Sequence, residues 1–157
     1  MRRKDREVTD IGEIIEIMKQ CDVCRLAFND GEFPYILPLN FGMDYADEKI
    51  TLYFHSALEG YKVNLIENCK GASFEMDTKH LLQYSKEKGH CTYAYESVIG
   101  RGQISIVQDG GKALALDKIM AHYHLGKDAP YNPAAIPRTL VYKLEVTDVT
   151  AKRKEPK

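Results

Sequence analysis

Residues 53–62 read Tyr53-Phe54-His55-Ser56-Ala57-Leu58-Glu59-Gly60-Tyr61-Lys62: an aromatic strand end, then small and hydroxyl residues, a glycine and a lysine. The strand side starts at Ile50 and alternates through Leu52 and Phe54. Beyond Gly60, Val63, Leu65 and Ile66 fall at helical spacing, which predicts a helix over 61–68. A phosphomonoester needs a cation, a hydroxyl and free backbone amides, and Lys62, Ser56 and the helix start near Gly60 offer one of each. The same spacing also suits an ordinary strand-to-helix turn with a solvated lysine. Neither a G-x-x-x-x-G-K-[ST] loop nor a G-x-G-x-x-G fingerprint occurs, so P-loop hydrolysis and Rossmann dinucleotide binding lose their usual sequence support.

Working outward toward the N-terminus, residues 23–28 and 35–41 are β-rich and flank Asn29-Asp30-Gly31, a turn signal that makes them a hairpin. Pro34 and Pro38 lack amide donors and belong at a strand start, an edge or a bulge. Asp10 followed by Glu13 is a capping box, and Ile14, Ile15, Ile17 and Met18 supply the apolar face of a short opening helix. Residues 44–49 form a polar turn. Toward the C-terminus, 72–76 is a further strand and 78–89 a polar loop or insertion. The β-rich run 92–107 is interrupted by Gly100 and Gly102, as a bent or bulged barrel strand would be. Residues 112–124 are an amphipathic helix with Leu114, Leu116, Ile119 and Met120 toward the core, ended by Gly126. A Pro-containing surface connection over 129–137 leads to a final strand, 140–149, with Leu140, Tyr142, Leu144 and Val146 on one face. Some six strands, a few short helices and no internal repeat predict a mainly β, small antiparallel barrel rather than a βαβ sheet.

The chain of 157 residues can bury one core and is expected to be a single domain, 1–157. With 44% hydrophobic and 29% charged residues it falls among folded globular chains rather than disordered or fibrous ones. A formal net charge of −1 gives no global field toward nucleic acid or an anionic membrane, so neither is an expected partner. Basic runs do stand at both ends, Arg2-Arg3-Lys4 and Lys152-Arg153-Lys154, and read as solvated tails without an aromatic RNA-binding signature. No apolar stretch behind Met1 is long enough for a signal peptide or membrane span, so a cytoplasmic location and reduced thiols are expected.

Cys21-Asp22-Val23-Cys24 has metal-ligand spacing, yet Cys69 and Cys91 do not form a second pair, and the motif lacks the βαβ context of thioredoxin. Buried reduced cysteines are the simpler expectation, and no metal is predicted. His122 and His124 stand two apart on a predicted helix and point in different directions. Tyr53, Tyr93 and Tyr95, at alternating strand positions, suit barrel packing as well as stacking on a ring.

Three stretches recur in one order: residues 35–42 (Tyr-Ile-Leu-Pro-Leu-Asn-Phe-Gly), residues 53–68, and Glu96-Ser97-Val98-Ile99-Gly100-Arg101-Gly102. Together they resemble the pyridoxamine 5′-phosphate oxidase-related FMN-binding split-barrel family, most closely its branch that includes the nitroimidazole-resistance reductases. The resemblance spans about Arg2 to Lys152. It implies a six-stranded antiparallel split β-barrel, FMN as cofactor, and a homodimer with two flavin sites between the subunits. It further implies a flavin-dependent oxidoreductase that takes electrons from a nicotinamide or other donor and reduces a small, nitroaromatic-type acceptor. By the same resemblance, Leu39, Asn40 and Phe41 border the flavin ring and ribityl chain. His55, Ser56, Ala57, Gly60 and Lys62 hold the cofactor, with Ser56 and Lys62 nearest the phosphate. Ser97, Val98 and Gly100 approach it from a later strand, beside a candidate cation, Arg101. Tyr61 stands where the oxidase branch commonly has arginine, which departs from that branch's phosphate geometry and vitamin substrate. His55 is the candidate catalytic residue, orienting a substrate or delivering a proton, or it simply hydrogen-bonds the cofactor or backbone. A flavin-binding protein without turnover and a haem-binding or haem-degrading split barrel are the alternatives.

Overall fold

Asp10 Oδ1 accepts a hydrogen bond from the Glu13 amide at 2.9 Å, and α1 (Ile11–Gln20) runs from that cap with Ile14, Ile15, Ile17 and Met18 buried. A short strand, β1 (Glu7–Val8), precedes it. The computed structural model describes residues 3–87, 89–124 and 132–156. The hairpin signalled by Asn29-Asp30-Gly31 is formed by β2 (Cys24–Phe28) and β3 (Tyr35–Leu39), with Gly31 at φ 70 in the turn. Pro38 fits because β3 ends the sheet.

The polar turn expected over 44–49 is narrower than its composition suggests. A strand, β4 (Gly42–Ala46), pairs with β5 (Lys49–Ala57), and only Asp47 and Glu48 turn, at φ 51 and 61. Two consecutive left-handed residues make the tight hairpin geometry that normally recruits Asn-Gly, which is why Asp-Glu concealed it. The helix α2 (Tyr61–Asn68) lies on the expected residues. The expected loop over 78–89 is corrected. β6 (Gly71–Ser85) bulges between Thr78 and Leu81, then pairs onward with β7 (His90–Ile106) from Leu81–Ala94 to Ser85–His90. Lys79, at φ 54, takes up the bulge.

The last helix, α3 (Asp109–His124), begins earlier than the expected residue 112 and packs on β4 and β5. At Gly42 the approach is so close that a Cβ would stand 2.4 Å from the Ile119 amide nitrogen. Lys112, Ala115 and Ile119 are buried, and the same helical phase turns Leu114 outward, 61% exposed rather than facing the core as expected. The expected helix end at Gly126 lies outside the described residues, as do residues 129–131 of the expected connection. A 3₁₀ turn over Pro133–Arg138 leads into β8 (Thr139–Lys154), which outruns the expected 140–149. The basic run Lys152-Arg153-Lys154 is therefore the end of this strand and not a solvated tail.

Among the described residues the sheet has eight strands, in the order β3-β2-β6-β7-β8-β5-β4, with β1 also on β8. The expected six omitted β1 and β4. All pairings are antiparallel, and the ends, β3 and β4, are not paired with each other, so the barrel is split rather than closed. Its interior holds Leu26, Phe28, Leu52, Phe74, Met76 and Leu144. Phe54 stacks on Tyr142 there at 5.5 Å.

Candidate functional site

At the end of β5 the alternation places Phe54 inward, His55 outward and Ser56 half-buried. The backbone then turns through Gly60, at φ 133, into α2. Only glycine takes that conformation readily, and as the N-cap it brings no side chain to the first-turn amides, of which that of Val63 donates back to the Gly60 carbonyl at 2.9 Å. Lys62 is half-buried and, among the described residues, has no carboxylate in an ion pair with it. Burial, and then the nearby Lys62 ammonium, hold the His55 imidazole below its ordinary range, although the residue is exposed at the surface. Ser56 Oγ donates to the Ala57 carbonyl at 2.9 Å. His55, Ser56, Ala57, Gly60 and Lys62 are thus gathered at one strand-to-helix junction. Tyr61 points away from it: its hydroxyl donates to Asp30 Oδ1 at 2.6 Å, and its ring meets Tyr35 edge-on at 5.3 Å.

Leu39, Asn40 and Phe41 make the link between β3 and β4. Leu39 is half-buried, Asn40 exposed and Phe41 fully buried. Helix α3 fixes this link. The Phe41 amide donates to the Tyr123 hydroxyl at 3.0 Å, the same hydroxyl donates to the Asp22 carbonyl at 2.8 Å, and the His122 ring lies 4.2 Å from that of Phe41. His122 Nε2 bonds the Cys21 carbonyl at 2.8 Å, which ties its ring to the backbone.

The β7 residues fall on two faces. Val98 is buried, and a Cβ on Gly100 would meet the Phe74 ring at 2.5 Å, so both turn inward and present only backbone to the outside. Ser97 and Ile99 face outward and, with Thr150 and Lys152, line a concavity of about 260 Å³. Arg101, on the same face, pairs with Asp148 at 2.9 Å. Ser56 stands opposite Leu140 and Ser97 opposite Lys152. The two groups therefore sit at opposite ends of β8, on the order of 40 Å apart along its contour. A single chain does not bring them together.

A cluster that sequence reading passed over lies beside Ser97. Asp77, its ladder partner, binds His80 Nε2 at 2.9 Å through one oxygen and Arg25 at 2.8 Å through the other. Arg25 also reaches Glu75 at 3.1 Å. The residues come from two paired strands and a bulge, so nothing local in the sequence signals them. Cys21 and Cys24 are buried; burial pushes the Cys21 thiol up to about 12 and Cys24 further in the same direction. Among the described residues no group of three or more His, Cys, Asp or Glu side chains stands ready for a metal, and no helix is long and apolar enough to cross a membrane.

Comparison with known proteins gives this geometry a context. The chain is similar to the solved structure of a candidate 5-nitroimidazole antibiotic resistance protein from Bacteroides thetaiotaomicron, at 30% identity and TM-score 0.78, over 93% of this chain and 85% of that one. It shares its fold with an FAD- and haem-binding protein from Mycobacterium smegmatis (14% identity, TM-score 0.81, 96% of this chain and 74% of the other). An FAD-binding protein from Mesorhizobium loti has the same fold (18% identity, TM-score 0.65, 96% and 98%). No curated protein matches. The family model described as pyridoxamine 5′-phosphate oxidase matches residues 10–153, nearly the whole fold. The chain belongs to the pyridoxamine 5′-phosphate oxidase family of flavin-binding split barrels, with its nitroimidazole-resistance-like branch.

Proposed function

We propose that the protein is an FMN-dependent oxidoreductase that works as a homodimer and reduces a small nitroaromatic-type acceptor. The observation that carries this reading is Lys62, a half-buried cation without a carboxylate partner among the described residues, at the uncapped head of α2 beside Ser56 and His55. A helix start and a cation at one junction suit a terminal phosphate. Lys62 and the amides behind Gly60 would hold that group, Ser56 would turn its hydroxyl from the Ala57 carbonyl toward it, and the β3–β4 link at Asn40 would border the rest. Tyr61, engaged with Asp30, adds no cation, so the site differs from that of a vitamin-phosphate oxidase. The flavin, when bound, supplies two-electron transfer chemistry.

A second copy supplies what one chain separates. The face that carries Ser97 continues over Ile99, Tyr93, Leu82 and Tyr84, which are 55%, 47%, 59% and 68% exposed. An apolar sheet face of this kind is a contact surface, and a two-fold dimer would set the Ser97 group of one copy against the Lys62 group of the other. In both copies the protein's part is to bind, orient and shield.

The test is the absorption spectrum of freshly purified protein, followed by release and identification of the chromophore. A yellow protein that yields FMN, is bleached by a nicotinamide donor and recovers with a nitroaromatic compound supports the reading. A Soret band, or flavin that no acceptor reoxidises, overturns it. Sedimentation of an FMN-loaded monomer at low micromolar concentration would overturn the dimer.

A further inference from the structure

We propose that the chain carries a second binding site, for a small dianion of the phosphate-ester or dicarboxylate kind, independent of the flavin reading above. It lies at the end of β8 opposite to the Lys62 junction, where three segments meet: the 3₁₀ turn Lys4–Arg6, the start of β7 at His90 and the end of β8 at Lys154. Between them is a concavity of about 610 Å³, the size of pocket that takes a small-molecule ligand. Its wall carries four permanent cations, Arg3, Arg6, Arg153 and Lys154, against two carboxylates, Asp5 and Glu155. The wall therefore has two positive charges in excess.

Two of the four cations are engaged. Arg3 grips both oxygens of Asp5, at 2.7 and 2.5 Å, and Arg153 holds Glu96 at 2.6 Å and Glu13 at 2.7 Å. Arg6 and Lys154 are left over. Arg6 comes no nearer to Asp5 than 3.9 Å, on the oxygen that the Arg3 Nη2 already holds at 2.5 Å, yet its side chain is only 25% exposed. The half-buried Lys154 ammonium donates to the Thr92 hydroxyl and, among the described residues, has no carboxylate in an ion pair with it. Packing of the aliphatic stems accounts for the covered area, but not for two covered cationic heads that lack a countercharge in the same concavity.

An anion held there supplies that countercharge. A phosphate monoester carries close to two negative charges at pH 7, and its oxygens accept from a guanidinium fork and an ammonium together. Thr92, which accepts from Lys154, keeps its own hydroxyl proton for the ligand, and His90 adds a ring nitrogen to the wall. A dicarboxylate presents the same charge to the same donors. The ladder between β7 and β8 ends at Tyr95 and Lys154, so the ligand would bridge the N-terminal turn to residues 90–92, which no backbone pairing joins to it.

The test titrates the full chain by calorimetry, in phosphate-free buffer, with ribose 5-phosphate, with succinate and with uncharged ribose. At least one of the two anions should bind, and ribose should not; tighter binding of ribose 5-phosphate assigns the site to a phosphate ester, and of succinate to a dicarboxylate. Arg6→Gln and Lys154→Gln should each weaken the anion roughly ten- to a hundredfold, the loss of one charge-assisted hydrogen bond, with unchanged circular dichroism. Lys62→Ala should leave that affinity within about twofold, which separates this site from the flavin junction. On the wild type alone, the amide resonances of Arg6, His90 and Thr92 should shift as the anion is added. Neither anion binding at millimolar concentration, affinity that both glutamine variants retain, affinity that Lys62→Ala abolishes, or amide resonances that stay put would each overturn the site and leave the flavin reading standing.

Discussion

Arg153 and Glu96 lie 57 residues apart in sequence, yet their side chains meet at 2.6 Å inside the ladder of β7 and β8. Glu96 is almost fully buried, and its second oxygen takes the Lys79 ammonium at 3.0 Å, while Arg153 also reaches Glu13 of α1 at 2.7 Å. One carboxylate therefore ties the bulge, the central strands and the first helix.

Removing the arginine should expose what that carboxylate costs with one cation instead of two. Arg153→Ala is expected to destabilise the fold by about 1–3 kcal/mol, since it strips a charge-assisted hydrogen bond from a buried carboxylate and leaves Lys79 as its remaining cation. Adding Glu96→Gln should recover part of the loss, a comparison that urea unfolding of the four variants would make. Burial pushes the Glu96 carboxyl upward, but the hydrogen bonds from Arg153 and Lys79 outweigh it, and the net value lies below the ordinary glutamate range. Its contribution to stability is thus present above the unfolded-state value and lost as pH falls through the folded one. Glu96→Gln should flatten that acid limb.

Lys62→Ala should weaken FMN by roughly ten- to a hundredfold, the equivalent of one charge-assisted hydrogen bond. Riboflavin, which lacks the phosphate, should be affected far less. Titration of both ligands after circular dichroism confirms folding decides the matter. Equal losses would move Lys62 to general packing, and an unchanged FMN affinity would remove it from the site.

Tyr123→Phe should cost about 1–3 kcal/mol, because one hydroxyl serves both the Phe41 amide and the Asp22 carbonyl and its loss strands a buried donor. The damage should appear at the β3–β4 link. Hydrogen exchange at the Phe41 amide is the direct readout, and protection equal to wild type would contradict the assignment.

Replacing Cys21 and Cys24 with serine should leave FMN content unchanged. Cys21 donates to the Ile17 carbonyl at 3.3 Å, a bond serine can keep, whereas serine at the fully buried position 24 should cost about 1–3 kcal/mol. Toward a thiol reagent, the exposed Cys91 should react fast and the pair only on unfolding. Loss of flavin together with a stoichiometric metal would overturn this.

The parts of the molecule that could be read from sequence are those whose signals are local. Asp10 with Glu13, Asn29-Asp30-Gly31, and Gly60 before Tyr61 each fix a boundary within a few residues, and the strand-to-helix junction from His55 to Lys62 was legible for the same reason. What stayed hidden depends on register. The bulge at Thr78–Leu81 turns a polar stretch into strand, and the Asp47-Glu48 turn makes a hairpin without glycine. Arg25 joins Asp77 and His80 only through β2–β6 pairing, and His80 reaches Asp77 across the bulge. Leu114 misled because Ala115, small and unremarked, sets the buried phase of α3.

The sheet order has a consequence for how the protein is made. β8, the strand nearest the C-terminus, lies in the middle, pairing with β7 along one side and with β5 and β1 along the other. While a ribosome is still holding residues 139–154 in its exit tunnel, β5 and β7 have no partner between them and Phe54 has no Tyr142 to stack on. The nascent chain must then carry two open strand edges and half an interior, the state in which strands pair with the wrong neighbour. Closure waits for residues 139–154 to emerge, so folding should be lost abruptly on truncation before Thr139.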